Sequence, residues 1–229
     1  VQIKQALLNE STSFIAADSV LQTSRPADPT IIAKSETLAL QSAKQVLMTS
    51  IVFAQDEMLL ADVRAISNTY PLRGEFKVNQ QSVNAPALGH VFVEQSLLNK
   101  LNVTLGDNVD IGEGRFVISG IIDKVRVSLR RISHYGPKAY INIADLEKTQ
   151  LVQPGSRLTY KYLFAGGKSN VNTFAQWLKP QLNDTQRWYD IQSRQSPLAN
   201  ALNRAEKFLS LASMLGIILA AVAVAVASR

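Results

Sequence analysis

The stretch of sequence that decides the fold is Val46–Ile66, VLMTSIVFAQDEMLLADVRAI. Its two halves, Val46–Ala54 and Met58–Ile66, are mainly apolar runs of strand length. The polar residues between them, Gln55-Asp56-Glu57, are few enough for a short hairpin turn. The sequence therefore predicts two strands joined as a β-hairpin.

Four large apolar side chains of this hairpin allow two interpretations: Met48, Phe53, Met58 and Leu60. They could line a hydrophobic substrate surface, or they could pack in the core. Core packing is the prediction, because side chains of this kind are most often buried in a globular domain.

Upstream of the hairpin, Phe14–Leu21 (FIAADSVL) is predicted as the first strand, and the prolines that follow it end it. Asp28 before Pro29 is typical of a helix start, with an N-cap acceptor and proline at the first helical position. The apolar spacing beyond Pro29 predicts a helix of about 15 residues. Val1–Glu10 has apolar residues at helical spacing and is predicted as the tail of a membrane-proximal helix that starts before this sequence.

Downstream, Tyr70-Pro71-Leu72-Arg73-Gly74 predicts a chain reversal. A β-rich stretch follows, and its predicted elements are strands at Val91–Val93, Asn108–Ile111 and Arg115–Ile122, a short helix at Glu94–Lys100 and a hairpin turn at Gly112-Glu113-Gly114. Lys124–Lys138 is basic and is predicted as a loop or a strand edge.

The remaining soluble part predicts strand, helix and strand again. The expected elements are strands at Ala139–Ile143, Leu158–Ala165 and Trp188–Gln192, a short helix or turn at Ala144–Thr149, and a helix capped by Ser169 or Asn170 that buries Val171, Phe174, Ala175, Trp177 and Leu178 and ends near Pro180. This order predicts an α+β class, with the first and last parts forming one unit and a β-rich part inserted between them.

Residues Phe208 to Ser228, FLSLASMLGIILAAVAVAVAS, carry no charge, Asn, Gln or Pro. About 20 such residues, at ~1.5 Å each, span a hydrocarbon core of ~30 Å, which predicts a transmembrane helix. The amphipathic stretch before it, Pro197–Lys207, is expected to run into that helix. Arg229 directly after the run favours a cytoplasmic end and places the main domain outside the cytoplasm.

The charged and polar residues indicate no active site. The 229 residues include two histidines and no cysteine, which leaves no zinc ligand set, and no G-x-S-x-G motif is present. His90 and His134 are expected to have structural and solvated roles, and Gly166-Gly167 to break a strand before a helix. The net charge of +6 does not indicate nucleic-acid binding, because no nucleic-acid motif accompanies it. The basic residues between Lys124 and Lys138 either contact lipid head groups or an acidic partner, or form a solvated surface, which is favoured.

Several stretches in a fixed order carry a resemblance to a known family. They are Phe14–Asp18 (FIAAD) with Ser24-Arg25-Pro26, Tyr70-Pro71-Leu72-Arg73-Gly74, Leu105-Gly106-Asp107 with the strand to Gly120, Tyr140–Leu146 (YINIADL), Gln153–Arg157 (QPGSR) and Ala205–Leu211 (AEKFLSL). Together they resemble the large periplasmic domain between the first two membrane helices of a MacB/FtsX/LolC-type ABC transporter permease, and most the YbbP-like branch. The stretch 124–138 departs from the family pattern.

The resemblance implies a porter-like α+β unit with an inserted β-rich subdomain, followed by a C-terminal transmembrane helix. The expected divisions are 1–12 (membrane-proximal helix end), 13–74 and 149–195 (the two halves of the porter-like part), 75–148 (the inserted subdomain), 196–207 (juxtamembrane helix) and 208–229 (transmembrane helix). It places the protein in the bacterial inner membrane, with the main domain in the periplasm.

The function that the resemblance implies is mechanotransmission without catalysis or cofactor in this chain. Cytoplasmic ATP hydrolysis by a separate ABC ATPase subunit moves or extracts a hydrophobic or lipid-linked substrate. The other expected partners are a second permease copy, membrane lipid and, where one is used, a periplasmic protein. The juxtamembrane helix is the expected coupling element, through Leu198, Leu202, Ala205, Lys207 and Phe208. An FtsX-like regulator that binds and activates a periplasmic cell-wall hydrolase remains the alternative.

Overall fold

The predicted hairpin forms the middle of a mixed β-sheet. Strands β2 (Gln41–Ala54) and β3 (Glu57–Ile66) pair in one unbroken antiparallel register, from Gln45 opposite Ile66 to Ala54 opposite Glu57. The structure is a computed structural model, which describes residues 16–123 and 136–190. The hairpin prediction is confirmed, and β2 begins before Val46 because its first residues pair with a later strand, β10 (Thr159–Ala165).

In the described residues, eleven strands form this one sheet and three α-helices pack on it. The other strands are β1 (Ser19–Thr23), β4 (Phe76–Val78), β5 (Gln81–Val83), β6 (His90–Glu94), β7 (Asn108–Ile111), β8 (Gly114–Ile122), β9 (Lys138–Asn142) and β11 (Gln186–Asp190). The helices are α1 (Pro29–Thr37), α2 (Gln95–Leu101) and α3 (Lys168–Leu178), and short 3-10 turns lie at Ile143–Asp145, Glu147–Thr149 and Lys179–Gln181.

The strand order is β11-β1-β10-β2-β3-β9-β6-β8-β4-β5, and β7 pairs with both β2 and β8. The first four strands in this order, with α1 and α3, form a β-α-β-β-α-β arrangement of ferredoxin-like type. The strands from β3 to β9 extend the same sheet on the other side of β2. The predicted α+β class is confirmed, while the division into a porter-like part and an inserted subdomain stays a prediction.

The main core lies between the sheet and its helices. Side chains from all three helices, such as Ile31, Leu97 and Phe174, join one buried cluster with the inward residues of the strands, such as Val46 and Val63. Because side chains alternate along a strand, the neighbours of these strand residues point to the opposite face. That second face carries two smaller clusters, one around Val20, Ala43 and Leu163 and the other around Ile66, Phe76, Phe92 and Tyr140.

Two element boundaries differ from the sequence prediction. Strand β1 begins only at Ser19, because Ala16 before it has a left-handed backbone with φ of 61°. Helix α1 is capped by the Asp28 carboxylate, as predicted, but it has 9 residues. It ends early because Ala39 turns left-handed, with φ of 52°, and β2 follows at Gln41.

The cap of α3 was also predicted wrongly. The N-cap is Gly167, whose extended backbone needs no side-chain acceptor, in place of Ser169 or Asn170. The Asn170 amide instead donates to the backbone oxygen of Leu38 at 2.9 Å, which ties α3 to the end of α1. The buried face contains four of the five predicted residues, and Trp177 is only partly buried.

Several predictions lie outside the described residues: the helix end at 1–12, most of the basic stretch 124–138, the juxtamembrane helix 196–207 and the transmembrane helix 208–229. Within residues 16–123 and 136–190, no helix has the length and apolar character needed to cross a membrane.

Candidate functional site at the paired chain ends

The start and the end of the described part lie side by side. Strand β1 pairs antiparallel with β11, and Ser19 at the start of β1 is opposite Asp190 at the end of β11. Directly opposite residues in such a pair have Cα atoms about 4.5–5.5 Å apart. The chain therefore enters and leaves the sheet at one place, on two hydrogen-bonded neighbouring strands.

The motif Tyr70–Gly74 holds the chain just before β1. The backbone N–H groups of Leu72 and Arg73 both donate to the backbone oxygen of Ala16, at 2.9 and 3.0 Å. Gly74 then has a left-handed φ of 74°, a conformation that favours glycine. This motif, one of the stretches that carry the family resemblance, thus forms a bracket that holds the incoming chain in place.

A carboxylate–guanidinium pair completes this bracket. Arg73 donates through Nε and Nη2 to the two carboxylate oxygens of Asp18, at 3.0 and 2.8 Å. The backbone N–H of Gly166, at the end of β10, donates to Asp18 at 3.0 Å. The Asp18 side chain is 16% exposed and that of Arg73 is 39% exposed. Bidentate pairs of this kind are directional as well as strong, so Asp18 fixes β1, β10 and the motif relative to one another.

Tyr70 anchors the motif on its other side. Its ring meets Phe76 edge-on, with centroids 5.8 Å apart, and the Tyr70–Pro71 peptide bond is cis. Burial raises the pKa of the Tyr70 hydroxyl and Tyr140 raises it further, whereas Arg64 lowers it. The tyrosine is therefore neutral, and as a partly buried residue it packs against both small clusters of the second sheet face.

The histidine and the glycine turn that were considered as chemical sites lie within the regular strands and turns of the fold. His90 is the first residue of β6, and its Nδ1 is buried without a hydrogen-bond partner in the described part of the chain. Gly112 forms the predicted hairpin turn with φ of 60°, and a Cβ there would lie 2.0 Å from the Thr149 oxygen. Across 16–123 and 136–190, no three His, Asp or Glu side chains are placed to hold a metal ion.

The core prediction for the hairpin side chains was wrong for three of the four. Met48 is buried, but Phe53, Met58 and Leu60 are 44%, 67% and 49% exposed. These three share one face of the hairpin with Ile51, because Phe53 is opposite Met58 and Ile51 is opposite Leu60. Apolar residues on both faces made this end of the hairpin look like core.

The predicted coupling residues, Leu198, Leu202, Ala205, Lys207 and Phe208, lie outside the described residues, and their role stays a prediction. Sequence reasoning also missed the role of Asp18 as the partner of Arg73. The sequence did offer a signal, because one motif stretch contains the acidic residue Asp18 and another contains the basic residue Arg73.

Comparison with known proteins finds a relative that is similar over nearly the whole of this chain. No protein-family model matches it. The uncharacterized ABC transporter permease YbbP of Escherichia coli K12 is 32% identical over 226 residues, which is 99% of this chain. The chain spans only 28% of the length of that relative.

One solved structure shares the architecture of the described part. The periplasmic region of MacB from Actinobacillus actinomycetemcomitans superposes with a TM-score of 0.51 at 13% identity, and covers 81% of this chain and 95% of that one. The extracellular domain of the noncanonic ABC-type transporter YknZ from Gram-positive bacteria has a TM-score of 0.48 at 10% identity, over 75% of this chain and all of that one. The chain is thus a relative of the ABC transporter permeases, and its described part has the fold of the MacB periplasmic region.

Proposed function

We propose that this chain is the extracytoplasmic part of a permease subunit in a bacterial ABC transport system that works by mechanotransmission. The observation that carries the proposal is the pairing of Ser19 with Asp190 under the Asp18–Arg73 bracket. Both ends of the described part, which lead toward the two predicted membrane helices, leave from this one place.

Such a junction suits the transfer of movement. Neighbouring strands of a sheet separate only when their ladder hydrogen bonds break, so a displacement at the chain ends moves the sheet as a body. On the C-terminal side, the predicted helix 196–207 would transmit that displacement through its apolar residues Leu198, Leu202 and Ala205, with Lys207 and Phe208 at the membrane surface. A hydrophobic or lipid-linked substrate is then moved or extracted outside the cytoplasm.

The proposal includes its partners and its place in the cell. A cytoplasmic ABC ATPase subunit on a separate chain supplies the energy, and this chain carries out no catalysis of its own. A second permease copy forms the other half of a homodimer, and membrane lipid surrounds the predicted helices. The protein lies in the inner membrane with the described domain in the periplasm.

An insertion tests the coupling directly. Four glycines placed after Gln195 in the full-length permease would interrupt the predicted helical connection between the sheet and the membrane. In liposomes that contain the permease and its ATPase, we expect ATP turnover to continue while substrate export falls at least tenfold. The matched control places four glycines after Gly155, in an exposed turn with no heavy atom within 4 Å of an added Cβ. Export that is unaffected by the insertion after Gln195 would contradict the proposal.

One observation favours the alternative, a regulator of a periplasmic cell-wall hydrolase. The exposed apolar side chains at the hairpin tip are of the kind that protein partners bind. In that case the full-length protein binds the hydrolase through the tip, a Phe53→Ser variant loses this binding, and no lipid changes ATP turnover. Turnover that responds to lipid in the absence of any hydrolase supports the transporter.

A further inference from the structure

The second sheet face lies opposite the three helices, and we call it the open face from here on. Polar side chains form a row across it. This row crosses four neighbouring strands with directly opposed residues, Arg187, Gln22, Lys161 and Gln45 in that order. Opposed side chains of this kind have Cβ atoms about 4.5–5.5 Å apart. We call these four residues the polar row.

Gln45 is the deepest member of the polar row. The residue is 5% exposed, and its Nε2 has no hydrogen-bond partner in the described part of the structure. Buried amide donors without a partner are uncommon in folded proteins, because each loses its hydrogen bonds to water without replacement. Gln45 is opposite Lys161, so the unpaired donor lies beside an ammonium group.

Lys161 is half-buried and has no hydrogen bond or ion pair among the described residues. Burial lowers the pKa of its ammonium, and nearby Arg64 lowers it further, against the opposing effect of Asp62. Arg64 is itself paired with Asp62 at 2.6 Å and lies over the Tyr140 ring. Arg64 therefore adds positive charge nearby but is already occupied.

The charges on the open face do not balance. Its acids Asp62, Glu94 and Asp18 are all in ion pairs, with Arg64, Lys138 and Arg73 in that order. Lys161 therefore remains as a cation without an acidic partner among the described residues, and Arg187 adds a second one at the edge of the row. The polar row is thus complementary to a negative group.

An apolar strip leads away from this positive row toward the hairpin tip. Its apolar residues are Leu47, then Ile51 opposite Leu60, then Phe53 opposite Met58. The last four are between 40% and 67% exposed. Thr49, opposite Asp62 of the Asp62–Arg64 ion pair, lies on the same face between Leu47 and Ile51. At ~3.4 Å per residue, the distance along β2 from Gln45 to Phe53 is roughly 27 Å.

We propose that the open face binds an anionic lipid, with its acidic head group at Lys161 and Gln45 and its acyl chain along the strip to Phe53 and Met58. The proposal rests on the proposed transport function and names the substrate class for it. An anionic oxygen at this position accepts from the Lys161 ammonium, and from the unpaired Gln45 amide once that enclosed group turns outward. An apolar protein partner would cover the tip alone and leave both donors unpaired.

Two lysolipids with the same acyl chain test the proposal below their micelle concentration. Lysophosphatidylglycerol is anionic and lysophosphatidylcholine is zwitterionic, so their affinities separate head group from chain. Binding is measured by calorimetry on the full-length permease in maltoside detergent, without ATP. We expect the anionic lysolipid to bind at least tenfold more tightly.

Single substitutions test the head-group part and the acyl-chain part of the site separately. Lys161→Met and Gln45→Met should each weaken lysophosphatidylglycerol at least fivefold and leave lysophosphatidylcholine within twofold, which also shows that the variant is folded. Phe53→Ser should weaken both lysolipids. Lys44→Met is the matched control, because Lys44 lies on the same strand but packs over Tyr160 and Tyr162 on the helix-covered face.

Three results would overturn the proposal. The first is unchanged lysophosphatidylglycerol affinity in Lys161→Met. The second is inorganic phosphate competing as well as the lysolipid, which would make this a site for a free anion. The third is a Phe53→Ser variant that loses only a protein partner or a second copy. The binding measurement involves no ATPase, so its failure is distinct from the failure of coupling in the glycine-insertion experiment.

Discussion

The carboxylate of Asp18 accepts two hydrogen bonds from the Arg73 guanidinium, across 55 residues of sequence. It joins the first residues of the described chain to the motif that closes over them. Because the same carboxylate also accepts from Gly166, an amide in its place has one acceptor oxygen for three donor groups and no charge beside the guanidinium.

Asp18→Asn should therefore destabilise the protein by about 1–3 kcal/mol, the usual range for lost hydrogen bonds to a charged group. Urea unfolding of the 229-residue chain in detergent micelles measures the difference. The matched control is Asp110→Asn, since the Asp110–Arg115 pair has side chains 41% and 72% exposed. Exposed pairs contribute about 0–1 kcal/mol, so equal losses in the two variants would contradict a special role for Asp18.

Lys161→Met should stabilise the protein at neutral pH by an amount on the order of 1 kcal/mol, because it removes a half-buried charge that has no partner. The native pKa of Lys161 is lowered, so the unfolded chain binds the proton more tightly than the native one. Below the native pKa the lysine is charged in both the folded and the unfolded state, and the substitution then gives its largest gain in the free energy of unfolding. As the pH rises from there toward the ordinary value of 10.5, the native ammonium loses its proton and the gain shrinks.

Urea unfolding of wild type and Lys161→Met at pH 7 and near pH 10.5 tests this window, because other titrating groups cancel in the difference. Lys100→Met, on the exposed last turn of α2, is the control and should give no gain at either pH. A stability gain for Lys161→Met that increases with pH would show that the pKa of Lys161 is not lowered in the folded state. Stabilisation with loss of lysolipid binding would indicate that the chain keeps this lysine for its ligand.

Patterns among neighbouring residues predicted most of the helices and strands. Contacts between segments that are distant in the sequence determined the features that these patterns missed. Asp28 and Pro29 predicted the start of α1 because a cap involves only adjacent residues. The exposure of Phe53 and Met58 depends on which segments cover the second face of the hairpin, and strand periodicity carries no information about that. The Asp18–Arg73 pair depends in the same way on a chain reversal whose geometry no local pattern fixes.

Gly120 marks a close approach between strands that can be tested by one methyl group. A Cβ at this position would lie 2.2 Å from Cγ1 of Val78 and 2.9 Å from Cδ1 of Phe92. Gly120→Ala should push the β4–β5 hairpin off β8 and destabilise the protein by about 1–3 kcal/mol, as overpacking does. Ser119→Ala, at the exposed neighbouring position, should change the free energy of unfolding by less than about 0.5 kcal/mol. If the two variants unfold at the same urea concentration, the close packing described for Gly120 is wrong.

A disulfide between β1 and β11 tests whether the paired chain ends move together. The chain has no cysteine, and Thr23 is opposite Gln186, at a Cα separation of about 4.5–5.5 Å that a disulfide can bridge. If the sheet moves as one body, the oxidised Thr23→Cys/Gln186→Cys permease should keep ATP turnover and export within twofold of its reduced form. Measuring both forms of the same preparation separates the cross-link from the substitutions. Export that stops on oxidation and returns with reductant would mean that β1 and β11 separate during the cycle, and that movement passes through one chain end only.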